Sequence, residues 1–202
     1  MVHIIRMLTL LLPAALVWAA EKSDPLEALK EEMSSAACNH VVFLSLVEST
    51  VFGSTDTVQG EAWLGASDRY NVLLGADRYL ATDSLLYSYS LENNQVTVEP
   101  FTNHDQRREQ LSFLTRLDEF YTTTILTPGR RYRLKAVDTS DSDLPSPLLV
   151  KLTDSGQIGD LEYHDQNEDL NRIVFIKHEI LDSCPEGVFE PDFPDSVEII
   201  RF

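Results

Sequence analysis

Short segments of strand character, separated by turn-forming residues, run through most of the chain and limit its fold more than any other feature. The breaks have turn composition, as in Gly53-Ser54-Thr55-Asp56 and Glu92-Asn93-Asn94. Spacing this short and regular predicts an antiparallel meander of about eleven strands that curls into a sandwich or barrel. The predicted strands are Val41–Val51, Gln59–Leu64, Arg69–Leu74, Arg78–Thr82, Leu85–Ser90, Gln95–Glu99, Tyr132–Val137, Leu148–Thr153, Ile158–His164, Arg172–Ile180 and Val197–Phe202.

Two helices are predicted beside these strands. The first runs from Asp24 to about Ala37, because Asp24 is a good N-cap, Pro25 suits the first helical position and Glu27 can complete a capping box. The second runs from about Asp105 to Tyr121, where apolar residues recur at helical spacing. Both helices are amphipathic, so each needs an apolar surface to cover.

The first nineteen residues have the layout of a secretory signal peptide. Arg6 lies in a short basic start, an apolar run extends from Met7 to Trp18, and the small residues Val17 and Ala19 precede a cleavage site. The run is shorter than the roughly 20 residues that cross a bilayer. We therefore expect residues 1–19 to be a signal peptide and residues 20–202 to form one domain outside the cytoplasm; a membrane anchor is the competing interpretation.

The charge of the chain is strongly negative, with 16 basic and 33 acidic residues. Cleavage after Ala19 would remove one base, Arg6, which leaves 15 bases against 33 acids and a net charge of −18. This balance argues against nucleic acid as a partner, because its phosphates require neutralisation by Lys and Arg. It also argues against electrostatic attachment to an anionic membrane surface.

The chain has two cysteines, Cys38 and Cys184, which flank most of the predicted strands. In an oxidising compartment an even number of cysteines favours a disulfide. The sequence leaves open the alternative of two separate buried thiols, since a free cysteine packs as a small apolar residue.

Signatures of catalysis are weak. The chain contains neither a G-x-S-x-G nucleophile motif nor a phosphate-binding glycine loop. His178-Glu179-Ile180-Leu181-Asp182 approaches the H-E-x-x-H zinc motif, but the second histidine is missing and the segment is predicted to be a strand. The strand carboxylates Glu48, Glu61 and Glu99 are interpreted as surface charge. We expect no catalytic residue, no metal and no cofactor.

Five blocks follow one another in a recognisable order: Gly60-Glu61-Ala62-Trp63, Arg69-Tyr70-Asn71-Val72, Thr82-Asp83 through Leu86-Tyr87-Ser88-Tyr89, Asn94-Gln95-Val96-Thr97-Val98, and Phe189 through Ile200. In their order, their spacing and their position behind an export signal, they resemble the periplasmic outer-membrane lipoprotein carriers, the LolA-like chaperones. The resemblance covers nearly all of residues 20–202.

The resemblance implies a fold and a task. The fold is an unclosed antiparallel β-barrel, whose apolar concave face is covered by amphipathic helices. The task is that of a monomeric periplasmic chaperone that carries the acyl chains of lipoproteins from the inner to the outer membrane. The implied partners are an inner-membrane ABC-type lipoprotein-releasing complex and an outer-membrane lipoprotein acceptor. Expected cavity-lining residues are Leu44, Leu46, Trp63, Tyr70, Val72, Leu74, Tyr87 and Tyr89, and expected lid residues are Phe113, Leu114, Leu117 and Phe120; for each, plain core packing is the alternative.

The chain also departs from the family pattern. An arginine that latches the helical lid in the best-studied family members is replaced here by Ala66, the second aromatic of the R-F-x-W pattern by Val72, and a glycine of the last block by Ser196. These changes keep open a carrier of another lipid or glycolipid on the same fold. An exported hydrolase and a structural binding module in an envelope complex are the remaining alternatives.

Overall fold

The computed structural model describes residues 24–100, 114, 116–137 and 144–202. Within them, twelve strands and two helices follow the chain in mixed order. The elements are α1 (Pro25–Ser35), β1 (Cys38–Glu48), β2 (Thr55–Gly65), β3 (Tyr70–Leu74), β4 (Asp77–Ala81), β5 (Leu85–Ser90), β6 (Gln95–Pro100), α2 (Leu117–Phe120), β7 (Tyr121–Thr127), β8 (Arg131–Ala136), β9 (Leu148–Leu152), β10 (Ile158–His164), β11 (Leu170–Leu181) and β12 (Glu198–Arg201). The predicted signal peptide and Phe113 lie outside the described residues.

All twelve strands belong to one sheet, in the order β12-β6-β5-β4-β3-β2-β1-β11-β10-β9-β8-β7. Neighbouring strands are antiparallel except at one edge, where β12 pairs in parallel with β6. At the centre, all eleven residues of β1 pair with β2, and β1 also pairs with β11 across a bulge after Val42. The edge strands β12 and β7 are not paired with each other, so the sheet is unclosed. This confirms the predicted fold class.

The strand count differs from the predicted eleven because residues 122–127 of β7 were assigned to no element and Tyr121 was assigned to the second helix. Tyr121, assigned to that helix, is the first residue of β7, and only Leu117–Phe120 form a helical turn in the described part of this region. The physical reason lies in the residues that follow Tyr121. Three consecutive threonines and Ile125 are β-branched and favour a strand over a helix.

Helix α1 begins and ends close to its predicted limits. The Asp24 carboxylate accepts a hydrogen bond from the Leu26 N–H at 2.9 Å, Pro25 occupies the first turn, and the chain becomes extended at Ala36. Its buried face carries Leu26, Leu29 and Met33, as the periodicity predicted. No helix in the described ranges is long and apolar enough to cross a membrane.

One face of the sheet, here called the inner face, packs against α1. Its core joins side chains of β1–β5 to side chains of β7–β10, so the sheet curls until its two halves share one apolar cluster. Packing is close at the centre, where the Phe43 ring lies against the backbone of Gly60. A Cβ atom at Gly60 would stand 2.2 Å from that ring.

The opposite face, here called the outer face, is covered by the C-terminal strap, residues 182–197. Phe193 packs beside Tyr87 and Tyr89, with ring centroids 5.8 and 5.6 Å away. Asn71 donates its side-chain N–H to the Val188 carbonyl at 2.7 Å, and Arg78 donates to the Asp192 carbonyl at 3.1 Å. The chain then adds β12 to the sheet edge.

A disulfide fixes the start of the strap. Cys38, the first residue of β1, is bonded to Cys184, with 5.1 Å between their Cα atoms and 146 positions between them in sequence. Cys38 is fully buried. The bond ties the strap to the centre of the sheet, where β1 pairs with β11.

We predict that Cys38→Ser combined with Cys184→Ser lowers the free energy of unfolding by about 4–5 kcal/mol, because the open chain regains the entropy of a very long loop. Urea unfolding of the variant and the parent protein measures the difference. Equal unfolding free energies, together with alkylation of both cysteines before reduction in the parent, would contradict the bond.

Candidate functional site

The predicted cavity residues divide between the two faces of the sheet. Side chains alternate along a strand, and the register places Tyr70, Val72 and Leu74 of β3 on the inner face opposite Ala62 and its neighbours of β2. The other five lie on the outer face: Leu44, Leu46, Trp63, Tyr87 and Tyr89. For these five positions the structure corrects the expected location.

The error has a physical cause. Both faces of this sheet are partly apolar, because the strap covers the outer face as α1 covers the inner one. Leu80, Val96 and Val98 are buried on the outer face although they lie outside the inner core. An alternating pattern therefore identifies two faces without showing which of them is the concave one.

Trp63 and Glu61 belong to a polar cluster on the outer face. The His40 ring stacks on Trp63 with 3.7 Å between centroids. The two His40 nitrogens lie 2.7 Å from a Glu61 oxygen and 3.0 Å from a Glu179 oxygen. The hydrogen bond from Lys177, and then that from His40, lower the pKa of Glu179. Glu61 is thus engaged in a structural contact rather than facing a second free carboxylate.

The lid segment, defined as residues 114 and 116–120, lies over the inner face. Leu114 and Leu117 are 1% and 2% exposed and belong to the inner core, and Phe120 packs against it half-buried. Leu26, Leu29 and Met33 of α1 fill the space beside them. In this form the apolar interior is occupied by the protein's own side chains.

Lys30 ties α1 to the lid segment. Its ammonium donates to Asp118 at 2.6 Å, to Glu27 at 2.8 Å and to the Thr123 hydroxyl at 3.3 Å, while only 7% of the residue is exposed. Burial alone would lower the pKa of Lys30, but the hydrogen bonds to Asp118 and Glu27 outweigh it and raise that pKa above its ordinary value. The residue stays charged and joins three elements.

A second tie joins the lid segment to the β2–β3 turn. Arg116 donates from one nitrogen to both carboxylate oxygens of Asp68, at 3.0 and 3.1 Å. It also donates to Glu119 and lies over the Phe120 ring, 5.4 Å from its centroid. The hydrogen bonds to Glu119, and to a smaller extent those to Asp68, raise the pKa of Arg116.

Asp68 lies two residues after Ala66, the position where the resembled family carries its latch arginine. Here the cation is on the lid segment and the acceptor is on the turn. Arg69, the other basic residue nearby, lies over Phe189 of the strap, 5.1 Å from the ring centroid. Sequence analysis missed the Arg116–Asp68 and Lys30–Asp118 pairs, because their members are 48 and 88 positions apart in the chain.

An open cleft of about 810 Å³ lies between α1, the β2–β3 turn and the lid segment. Charged side chains dominate its walls, with Met33 and Leu117 at its floor. The cleft borders both ion pairs, so it marks the line along which the lid segment would separate from α1 and the turn.

The imperfect zinc motif lies on β11, so its members point to alternate faces. His178 is on the inner side, with Nε2 at 3.4 Å from the Asn39 side-chain oxygen, and Glu179 is on the outer side. In the described residues no three potential ligands gather around a metal position. Burial lowers the pKa of His178, and the opposing effect of Glu32 is smaller.

Solved structures with a similar fold include a LolA superfamily protein from Nitrosomonas europaea, at 9% identity and a TM-score of 0.44, covering 82% of this chain and 97% of that one. A second is an uncharacterized conserved protein from Thermus thermophilus, with 8% identity and a TM-score of 0.49, covering 88% of this chain and 97% of that one. A third is a DUF1329 family protein from Desulfovibrio piger, with 9% identity and a TM-score of 0.46, covering 83% of this chain and 98% of that one. No protein-family model and no curated protein matches the sequence. Function must therefore be inferred from this chain's own residues.

We predict that the unfolding free energy falls as the pH drops below 6.5, because the unfolded chain then binds a proton at His178 that the folded chain, with its lowered pKa, does not. One such group gives a slope of at most about 1.4 kcal/mol per pH unit. The slope should diminish in His178→Gln and persist in His164→Gln, an exposed control. Urea unfolding between pH 7.5 and 5.5 measures it; an unchanged slope in His178→Gln would refute the assignment.

Proposed function

We propose that this protein is a periplasmic carrier that binds acyl chains on the inner face of its unclosed sheet, beneath the lid segment. One observation carries the proposal. The apolar inner face is covered by an amphipathic helix and by a short segment held through two ion pairs, Lys30–Asp118 and Arg116–Asp68. The cover buries the apolar side chains of Leu114 and Leu117, so an acyl chain can take their place once the ion pairs open.

The energetics of the task match this arrangement. An acyl chain of about 15 methylenes costs about 12 kcal/mol of exposure in water, at about 0.8 kcal/mol per methylene. Each ion pair is partly exposed, since Asp118 is 67% and Asp68 28% accessible, so each contributes on the order of 1 kcal/mol after solvent screening. An entering chain gains enough apolar burial to replace Leu117 and its neighbours and to open the lid.

The specific role we propose is the transfer of acylated lipoproteins from the inner to the outer membrane, without enzymatic activity. It is supported by the five sequence blocks that resemble the lipoprotein carriers and by the export signal predicted in residues 1–19. The corresponding partners are an inner-membrane ABC-type releasing complex and an outer-membrane acceptor. Ala66 and the reversed polarity of the Arg116–Asp68 pair distinguish this chain from the best-studied carriers.

A free lipid or glycolipid is the second candidate cargo, favoured by the same departure at the latch. Mass spectrometry of protein purified from the periplasm distinguishes the two. Co-purified acylated peptide supports lipoprotein transport, and co-purified free lipid alone supports the second candidate.

We predict that Leu117→Asp strengthens binding of a fluorescent acylated peptide by at least about tenfold, because the buried carboxylate destabilises the closed lid segment that the acyl chain must replace. Leu91→Asp, at a 58% exposed turn residue, is the matched control. Fluorescence titration of both variants, with circular dichroism to verify folding, decides the matter. Unchanged binding in a folded Leu117→Asp protein would remove the lid segment from the site.

We also predict that Lys30→Gln combined with Arg116→Gln accelerates uptake of an acylated peptide by about tenfold, because opening the lid segment then costs roughly 1.4 kcal/mol less. Both ties of the lid segment are weakened in this variant. Asp154→Asn, which breaks an exposed pair with Arg130, serves as control. Stopped-flow mixing with the labelled peptide measures the uptake rates; equal rates in all three proteins would show that the pairs do not hold the lid segment closed.

A further inference from the structure

The β7–β8 hairpin has a charge that is opposite to that of the rest of the protein. Residues 121–136 contain four of the chain's 16 basic residues and none of its 33 acidic residues. A stretch of sixteen residues free of acids stands out in a chain with a net charge of −17. The proposed acyl site makes no use of this charge.

Three of these cations form a row on the outer face. In β8 the exposed residues Arg131, Arg133 and Lys135 alternate with the buried inner residues of the strand. Next neighbours in the row are therefore about 6.6 Å apart along the strand. No ion pair joins any of the three to an acidic side chain of the described residues, whereas Arg130 is paired with Asp154 at 2.8 Å.

The row stands beside an open edge of the sheet. Among the described strands, β7 pairs with β8 on one side only and so forms an edge of the sheet. Two apolar residues of this edge strand, Ile125 and Leu126, are 54% and 39% exposed. Ile125 pairs with Tyr132 and so lies on the inner side of the edge, whereas the cation row lies on the outer side. We call Ile125, Leu126, Arg131, Arg133 and Lys135 together the edge surface.

We propose that the edge surface docks on the phosphate groups of an anionic phospholipid bilayer. Three cations on the outer side of the edge, together with exposed aliphatic side chains along the edge strand, match a layer of phosphates above acyl chains. The docked edge would bring the gap between β7 and β12 to the membrane surface. The proposal goes beyond the carrier function and does not depend on which cargo the inner face holds.

The net charge of the protein does not oppose this docking at short range. At physiological ionic strength the screening length is about 8 Å, so acids on remote parts of the molecule are largely screened from the bilayer. Beside the row, the acids Asp160 and Glu162 of β10 are accompanied by the bases Lys151 and Arg172, and Asp160 forms ion pairs with both of these bases. The net charge of the whole protein is negative, whereas the edge surface itself carries positive charge.

The test is flotation of the purified full chain with vesicles. We expect binding to vesicles of equal parts phosphatidylglycerol and phosphatidylcholine at low salt, loss of binding at about 0.5 M salt, and little binding to phosphatidylcholine alone. Binding that is equal on both vesicles, or absent from the anionic ones at low salt, would overturn the proposal. If the edge surface binds an acidic protein instead of a bilayer, the chain will not bind the anionic vesicles at low salt.

Two charge-matched variants separate the row from the net charge. The row variant is Arg131→Gln, Arg133→Gln and Lys135→Gln, and the control is Arg69→Gln, Lys177→Gln and Arg201→Gln, which removes three cations elsewhere. We expect roughly 100-fold weaker vesicle binding for the row variant and binding close to that of the parent for the control. Equal losses in both would assign the effect to net charge and refute the edge surface. Because its three side chains are exposed, the row variant should keep the parent's circular dichroism spectrum and acyl-peptide binding.

Discussion

Burial of the inner face of an unclosed sheet is the constraint on which the rest of this structure depends. A sheet of this size that closed fully would cover its own interior with its strands. Here β7 and β12 remain apart, so other parts of the chain must cover the apolar inner face. Helix α1 supplies Leu26, Leu29 and Met33, and the lid segment supplies Leu114 and Leu117. The cover is thus a separate element rather than part of the sheet.

The two covers of the sheet are attached in different ways. On the outer face, the strap is held by a disulfide, by aromatic packing around Phe193 and by its final strand β12. On the inner face, the lid segment is held by the Lys30 and Arg116 ion pairs, which border an open cleft. The outer cover is therefore held covalently and the inner one only by non-covalent contacts, an asymmetry that suits the proposed carrier.

The fold was accessible from sequence because its signals are local. Turn residues and strand composition located eleven of the twelve strands, and Asp24 and Pro25 marked the start of α1. The twelfth strand was missed because the apolar spacing up to Tyr121 matches a helical period, and the β-branched residues that follow carry the opposite preference. Local propensity and periodicity disagreed at that boundary.

The candidate site was less accessible because it depends on which side of each strand faces inward. Tyr70, Val72 and Leu117 lie on the inner side, whereas Trp63, Tyr87 and Tyr89 lie beneath or beside the strap on the outer side. Distant pairs such as Arg116–Asp68, 48 positions apart in sequence, cannot be read from spacing. They became visible only when the β2–β3 turn and the lid segment were placed together.

The central claim is that an acyl chain replaces the lid segment on the inner face. Hydrogen–deuterium exchange, measured with and without a saturating acylated peptide, tests it most directly. The account predicts faster exchange in residues 116–121 and slower exchange in the inner strands β2 and β3 when the ligand is bound. Unchanged exchange in residues 116–121 at saturation, with protection confined to the outer strap, would contradict it.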